Sequence, residues 1–291
     1  MYDLLVICKR YPLLFIRIFI FLYLVILEII MNRNNAIDNV ISDLFIKVLK
    51  HKKHNCGHKP KYDNKIFIKA FIKRLRTSNT WKLLEDEFKI SDTHLNRKYL
   101  EWCSKNIFEK VFNLFLKEYK CYIDFDEVYI DSTILLNKYG YRHTTGINRY
   151  EAKKHRSNKL SCLVSKNGIP LGIKLSNSSV HDIKLLLDTL PKRTYFTRLI
   201  GDKAYISKDY KKYLKRNRRI DMITETRKNQ KKQVKVDIKS RIAIEHFNSL
   251  LKQNKAINTR YDKDIRAYEA IIYLGCVSRG LNIVFKFLYD L

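Results

Sequence analysis

Three acidic residues stand where a carboxylate is either costly or well placed for chemistry. Asp131 lies inside the apolar run VYIDSTILL, whose β-branched residues predict a strand. A carboxylate in such a run is expensive unless a partner compensates it. Asp202 follows Ile200 and Gly201 at the end of a second predicted strand, where sites in layered sheets commonly form. Glu245 lies on a helix predicted from Arg241 to Gln253. Three acids from separate elements can converge on hard cations. Magnesium takes oxygen ligands in near-octahedral geometry and keeps several waters. Two such ions, about 3.5–4 Å apart, activate an attacking oxygen and stabilise a leaving one. Taken singly, each acid is more often a turn or capping carboxylate, so only the combination carries weight.

The third acid has an internal test. Arg241, Glu245 and Lys252 are spaced by four and seven residues. At ~100° per residue they fall within roughly 40° of one another. Ile244, Phe247, Leu250 and Leu251 fall on another side, available to a core. One helix face therefore offers a metal-binding carboxylate flanked by two cations suited to phosphates. The alternative is a solvated salt-bridge face.

The elements that must position these residues change texture near Cys121. From Ile37 to Tyr119 apolar residues recur at helical spacing, as in IFIKAFIKRL and NIFEKVFNLFLKEY. Between those runs Ser78, Thr80, Ser91 and Asp92 offer polar helix starts. Short helices joined by tight turns suit a helix-turn-helix DNA reader, with Lys65, Lys69, Lys73, Arg74 and Arg76 as basic contacts. The alternative is a plain helical bundle. After Cys121 come VYIDSTILL, then a hairpin turning at Lys166-Asn167-Gly168. A short helix closed by Pro191 follows, then alternating strands and helices to a last helix through about Ala267–Leu288. Three antiparallel strands followed by alternating helices and strands predict an α/β or α+β layer fold, with a small all-helical domain in front of it. The expected divisions are 1–30, a hydrophobic extension; 31–120, the helical DNA-binding region; and 121–291, the catalytic domain.

Composition narrows the partners. The 291 residues carry 58 Lys+Arg against 29 Asp+Glu, a formal net charge of +29, which points to a polyanion such as nucleic acid. Abundant Lys, Ile, Asn and Tyr beside 8 Gly and 4 Pro match an AT-rich coding sequence, so part of the lysine excess reflects coding bias. The 6 Cys are scattered without a secretory framework, as in a reduced, cytoplasmic protein. His51, His54, Cys56 and His58 form a local cluster that lacks the second half of a zinc site. The segment 11–30, YPLLFIRIFIFLYLVILEII, approaches the length of a membrane span but is broken by Arg17 and Glu28. An extension upstream of a start at Met31, a buried helix and a membrane anchor are the three readings, with the anchor disfavoured.

Four stretches resemble the DDE transposases of bacterial insertion sequences, of the insertion-sequence four/five type. RTSNTWKLLEDEF with LNRKYLEW is similar to that family's N-terminal helical region. SNKLSCLVSKNGIPLGIKLSNSSVHD resembles the block between its first two acids, ending in His181 and Asp182. LIGDKAYIS resembles the second-acid motif, with Asp202 in the catalytic place beside Lys203. RIAIEHFNSLLKQNKAINTRYDK resembles the third-acid region, with Arg241, Glu245 and Lys252 in its recurring pattern, and VYIDSTIL supplies Asp131. Where the family often carries a tyrosine three residues before the arginine, this chain has Ile238.

The resemblance implies an RNase-H-like mixed sheet flanked by helices. It implies DNA strand cleavage and strand transfer with Mg2+, or Mn2+, held by Asp131, Asp202 and Glu245. It also implies DNA contacts by Arg241, Lys252, Lys203, Arg74 and Arg76, support from His181 and Asp182, and a homodimer on double-stranded DNA. His181 and Asp182 fit the capping of the following helix equally well. A transposase-derived DNA-binding protein without catalysis, and a related nuclease that cuts without joining, are the alternatives.

Overall fold

A computed structural model describes residues 33–49, 61–147, 155–225 and 238–289. The segment 11–30, the cluster at 51–58 and residues 227–237 of the basic stretch 227–239, expected as a loop, lie outside the described residues, while 238–239 begin a helix. The chain divides into two compact units, Met1–Val40 and Ile41–Leu291. Of the first, residues 33–40 are described and are helical; helix α1 spans 33–49.

Four helices follow. They are α2 (Asn64–Thr77), α3 (Trp81–Phe88), α4 (Asp92–Ser104) and α5 (Ile107–Glu118). The first three start where small polar residues satisfy the free amides of a first turn. The Asp63 side chain accepts from the Lys65 amide, Thr80 from Leu83 and Ser91 from His94. Ser78, expected as a helix start, instead ends α2 in the left-handed region, with φ of 58°. Phe67, Ile68, Phe71, Ile72 and Leu75 form the buried stripe of α2 at i, i+1, i+4, i+5 and i+8. The Phe71 ring meets Trp81, Tyr99, Trp102 and Phe108 at centroid distances of 5.1–6.1 Å, so one aromatic cluster joins all four helices.

The sheet is built from β1 (Val128–Asn137), β2 (Gly146–Ile147), β3 (Arg156–Ser165), β4 (Pro170–Asn177), β5 (Arg198–Gly201), β6 (Asp221–Thr224) and β7 (Thr259–Arg260). The order is β2-β3-β1-β5-β6, with β4 paired to β3 and β7 to β1. β1, β3 and β4 run antiparallel, whereas β5 and β6 continue the sheet parallel to β1. The β3–β4 hairpin turns at the expected place. Gly168 adopts φ of 88°, a region that glycine enters without the steric cost of a Cβ, and the Ser165 amide donates to the Ile169 carbonyl at 2.9 Å. Helices α6 (Asp182–Thr189), α7 (Lys208–Arg218), α8 (Ile238–Lys252), α9 (Lys255–Asn258) and α10 (Ile265–Tyr289) complete the described chain. It is a mixed α/β layer fold.

Helix α10 binds the helical region to the sheet. Ile265–Leu288 is long and apolar enough to cross a membrane, with mean hydropathy of 1.5. Here it packs against α4, α5 and β4, and Tyr268, Ile271, Ile272, Val277 and Leu281 are fully buried. The Tyr99 hydroxyl donates to the Ala267 carbonyl at 2.6 Å. The division expected at 120/121 therefore marks a change of secondary structure, not of compact unit, because α2–α5 share the unit Ile41–Leu291 with the sheet.

Two arginines are structural. Arg260 is fully buried and donates to the Asp262 and Lys263 carbonyls, Thr144 Oγ1 and Asn158 Oδ1 at 2.6–3.1 Å. Arg74, expected at DNA, turns inward: its guanidinium donates to Asp262 Oδ1 at 2.9 Å and lies over the Trp81 ring, 4.4 Å from its centroid. That corrects the expectation, since a guanidinium so enclosed between aromatic rings and a carboxylate offers no face to a phosphate. Arg76, two residues on, is exposed. Arg74→Ala strips Asp262 of its partner and is expected to cost about 3 kcal/mol, read by urea unfolding, while Arg76→Ala changes stability by less than about 0.5 kcal/mol.

Candidate active site

The parallel pairing of β1, β5 and β6 sets the position of the first two acids. Ile130 pairs with Gly201, and Gly201 with Thr224. Asp131, Asp202 and Glu225 are the next residues of three neighbouring strands, which lie about 4.8 Å apart. β5 stops at Gly201, where the Asp202 carboxylate accepts from the Ala204 amide at 2.8 Å and starts a short 3-10 turn. β1 runs on to Asn137, so beyond Ile130 its β5-facing edge is left without a partner from β5. Asp131 sits at the start of that opening.

Helix α8 packs on β1 and β3. Ile244, Phe247 and Leu251 are buried as the helical spacing required, while Leu250 is only half-buried. On another face Asn248 is buried, its Nδ2 3.5 Å from Asp131 Oδ2, and its Oδ1 has no hydrogen-bond partner. Glu245, one turn earlier, is exposed and pairs with Arg241 at 3.5 Å. Arg241 also stands 3.9 Å from Glu225, and Lys203 stands 3.6 Å from that same carboxylate. The Lys252 charge is felt at the Cys162 thiol on β3, whose register partner is Asp131. Arg241 of α8 thus stands beside the carboxylate that follows β6.

A third aspartate closes the group. Asp182, in the first turn of α6, accepts from Ser132 Oγ and Lys159 Nζ, both at 2.7 Å on the same oxygen, and Lys159 also donates to the Val180 carbonyl. His181 is exposed and its side chain makes no capping bond. Asp182 is therefore tied to the residue that follows Asp131, whereas His181 is not.

The electrostatics follow from crowding carboxylates where water is scarce. Burial pushes the Asp131 carboxyl up to about 6; the charges of Asp202 and Asp182 add to that, and the Ser132 amide and Arg241 oppose it. Burial also raises Asp202, as do Asp182 and Glu225, against the Ala204 amide and Arg241. Among the described residues, no group of three or more His, Cys, Asp or Glu side chains is gathered closely enough to hold a metal ion. Asp131 and Asp202 offer partly buried carboxylate oxygens and Asn248 a buried amide oxygen without a partner, while burial raises the Cys162 thiol across the ladder from Asp131 and keeps it a poor ligand. That chemistry fits a hard divalent cation.

Glu225, Lys159, Ser132 and Asn248 were not singled out from sequence. Glu225 carries the same signal as Asp202, an acid directly after a short apolar strand. Asn248 follows Glu245 by three residues, on the same helix face.

The transposase DDE domain family matches residues 124–278, more than half of the chain. No curated protein matches the sequence. Among solved structures, a piggyBac transposase in a synaptic complex with hairpin DNA is 11% identical, with a TM-score of 0.50, over 87% of this chain and 75% of its own. A mariner Mos1 paired-end complex with Mg is 10% identical over 83% of this chain and 82% of its own, with a TM-score of 0.29, too poor an overlap to bear on the fold.

A raised carboxyl destabilises the fold once it ionises. Its contribution is intact below the unfolded pKa of about 3.9 and is lost as pH rises through about 6. Asp131→Asn is therefore expected to stabilise the metal-free protein by on the order of 2 kcal/mol at pH 7.5, and by no more than about 0.5 kcal/mol at pH 4, read as the difference in urea midpoints.

Proposed function

The chain belongs to the transposase DDE domain family, and from that premise we propose that it cleaves and rejoins the DNA of an insertion sequence, with Mg2+ or Mn2+ held by Asp131, Asp202 and Glu245. The observation that carries this proposal is the adjacency of Asp131 and Asp202 at the opening beyond β5, with α8 packed against β1. Two neighbouring carboxylates whose ionisation is disfavoured in the metal-free chain gain most from a cation between them.

The roles of the side chains follow from their surroundings. Asp131 and Asp202 are fixed, one within a strand and one by its bond to the Ala204 amide. Glu245 is exposed, and its pairing with Arg241 is of the weak, solvated kind. It is free to swing toward the aspartates once Arg241 takes a phosphate. Arg241 and Lys203 then exchange the Glu225 and Glu245 carboxylates for phosphate oxygens, with Lys252 and Arg76 on the DNA backbone as well. Asp182, held by Lys159 and Ser132, keeps the β1 segment after Asp131 in place.

Divalent ions bound at these carboxylates would supply Lewis acidity, lowering the pKa of an attacking water and neutralising charge on the reacting phosphate. In the first step water displaces the 3′ oxygen of a phosphodiester at the element end, leaving a 3′ hydroxyl and a 5′ phosphate. In the second that hydroxyl attacks a target phosphodiester, whose own 3′ oxygen leaves. Both are in-line displacements that need positioning and charge compensation and no covalent enzyme intermediate. Such an enzyme works with the DNA in the cytoplasm and acts as a homodimer on paired element ends.

A donor duplex carrying the element's own ends, incubated with Mg2+, tests this. Wild type is expected to yield 3′-hydroxyl cleavage and joined products. Asp131→Asn and Glu245→Gln are each expected to lower cleavage at least about a hundredfold, because each removes charge that the transition state needs. Cleavage that survives both substitutions refutes the assignment, and cleavage without joined products identifies a nuclease. Glu225→Gln removes the carboxylate beside Lys203 and the farther of the two beside Arg241, and is expected to tighten metal-free DNA binding about two- to fivefold at low salt, the range a solvated ion pair commands, measured by fluorescence anisotropy.

A further inference from the structure

Helix α8 brings two different oxygen-bearing groups to the strand ends. Glu245 is charged, exposed and engaged by Arg241. Asn248, one turn later, is neutral and only 7% exposed, and it hydrogen-bonds to Asp131 through Nδ2, 3.5 Å from Oδ2. Its Oδ1 is shut away from solvent without a hydrogen-bond donor. A buried amide oxygen in that state costs free energy, and such atoms are rare unless an ion or water completes them. An ionised Asp131 has no proton to give it.

We propose that Asn248 is a further residue of the metal site, supplying a neutral oxygen donor to the cation held at Asp131. The proposal rests on the metal-dependent reading above and extends its ligand set. In the metal-free chain the amide turns its N–H toward the carboxylate, since two facing oxygens repel. With a cation beside Asp131, a half-turn about the Cβ–Cγ bond puts Oδ1 on the Asp131 side, where the cation meets one charged and one neutral oxygen, and moves Nδ2 into the place that Oδ1 leaves. A neutral donor suits this place. Asp131, Asp202 and Asp182 already crowd negative charge into it, and a further carboxylate at 248 would raise the repulsion that the metal-free fold must bear. Burial of Phe247 and Leu251 on either side of Asn248 holds this stretch of α8 against the sheet, so the amide is placed by the backbone and not by a flexible surface chain.

The test is Mn2+ binding by the full chain without DNA, followed by water proton relaxation and by the Mn2+-induced rise in Tm. Asn248→Leu keeps the volume and removes the polar atoms; it is expected to bind Mn2+ about tenfold more weakly than wild type. Asn248→Asp returns an oxygen with a charge; it is expected to bind at least as tightly as wild type and to gain more in Tm from Mn2+. Unchanged Mn2+ affinity in Asn248→Leu, with binding abolished in Asp131→Asn, overturns the role of Asn248 and leaves the carboxylate site standing. Weaker binding by a folded Asn248→Asp overturns it equally, should Asn248→Leu fail to fold. Mn2+ affinity that survives Asp131→Asn and Asp202→Asn refutes the metal site as a whole, and Asn248 with it.

Discussion

Everything at the site depends on two like charges held side by side where water is scarce. Asp131 and Asp202 cannot move apart, because one is part of a strand ladder and the other turns the chain at the end of the neighbouring strand. Partial burial disfavours their ionisation, with neighbouring carboxylates adding to it, and the fold answers with positive charge arranged around them. Arg241 approaches from α8, Lys203 from the turn after β5 and Lys159 from β3. None of these cations pairs directly with Asp131 or Asp202 in the ion pairs of the described residues; their partners are Asp182, Glu225 and Glu245. The two central carboxylates are thus left for another positive charge.

Holding that arrangement needs a stiff frame. The long β1–β3 ladder fixes Asp131 against Cys162, and the hairpin to β4 extends it. Behind the sheet, α10 is buried between the strands and the helices of the N-terminal half. The helical region is therefore part of the frame and not an appendage to it. Arg74 and Arg260 belong to the same frame, each spending its charge on internal partners. The net charge of +29 accordingly includes cations that hold the fold together as well as those available to a polyanion.

Much of the fold was legible because its signals are local. The Thr80 and Ser91 caps, the Gly168 turn, the Pro191 stop and the buried stripe of α8 each follow from a side chain acting on its own backbone or on a neighbour one turn away. Asp131 inside an apolar run and Asp202 at the end of a short apolar strand were visible for the same reason. Asp202 was recognised, yet Glu225, in the same setting after β6, was passed over. Arg74 was misplaced because composition reports a charge without its partner, and Asp262 lies 188 residues away in the chain.

The amino-acid sequence by itself determined the elements, their polar starts and stops, and which residues of α8 face together, since backbone geometry and helical period depend on near neighbours alone. Only the tertiary structure decided that Asp131 and Asp202 stand next to each other, that Asp182 is clamped by Lys159, and that Asn248 reaches Asp131 where Glu245 does not. Those pairings join residues up to 117 positions apart. They come from strand order and from the packing of α8 on the sheet, choices made by the whole core in burying its apolar faces, which no short stretch of residues encodes.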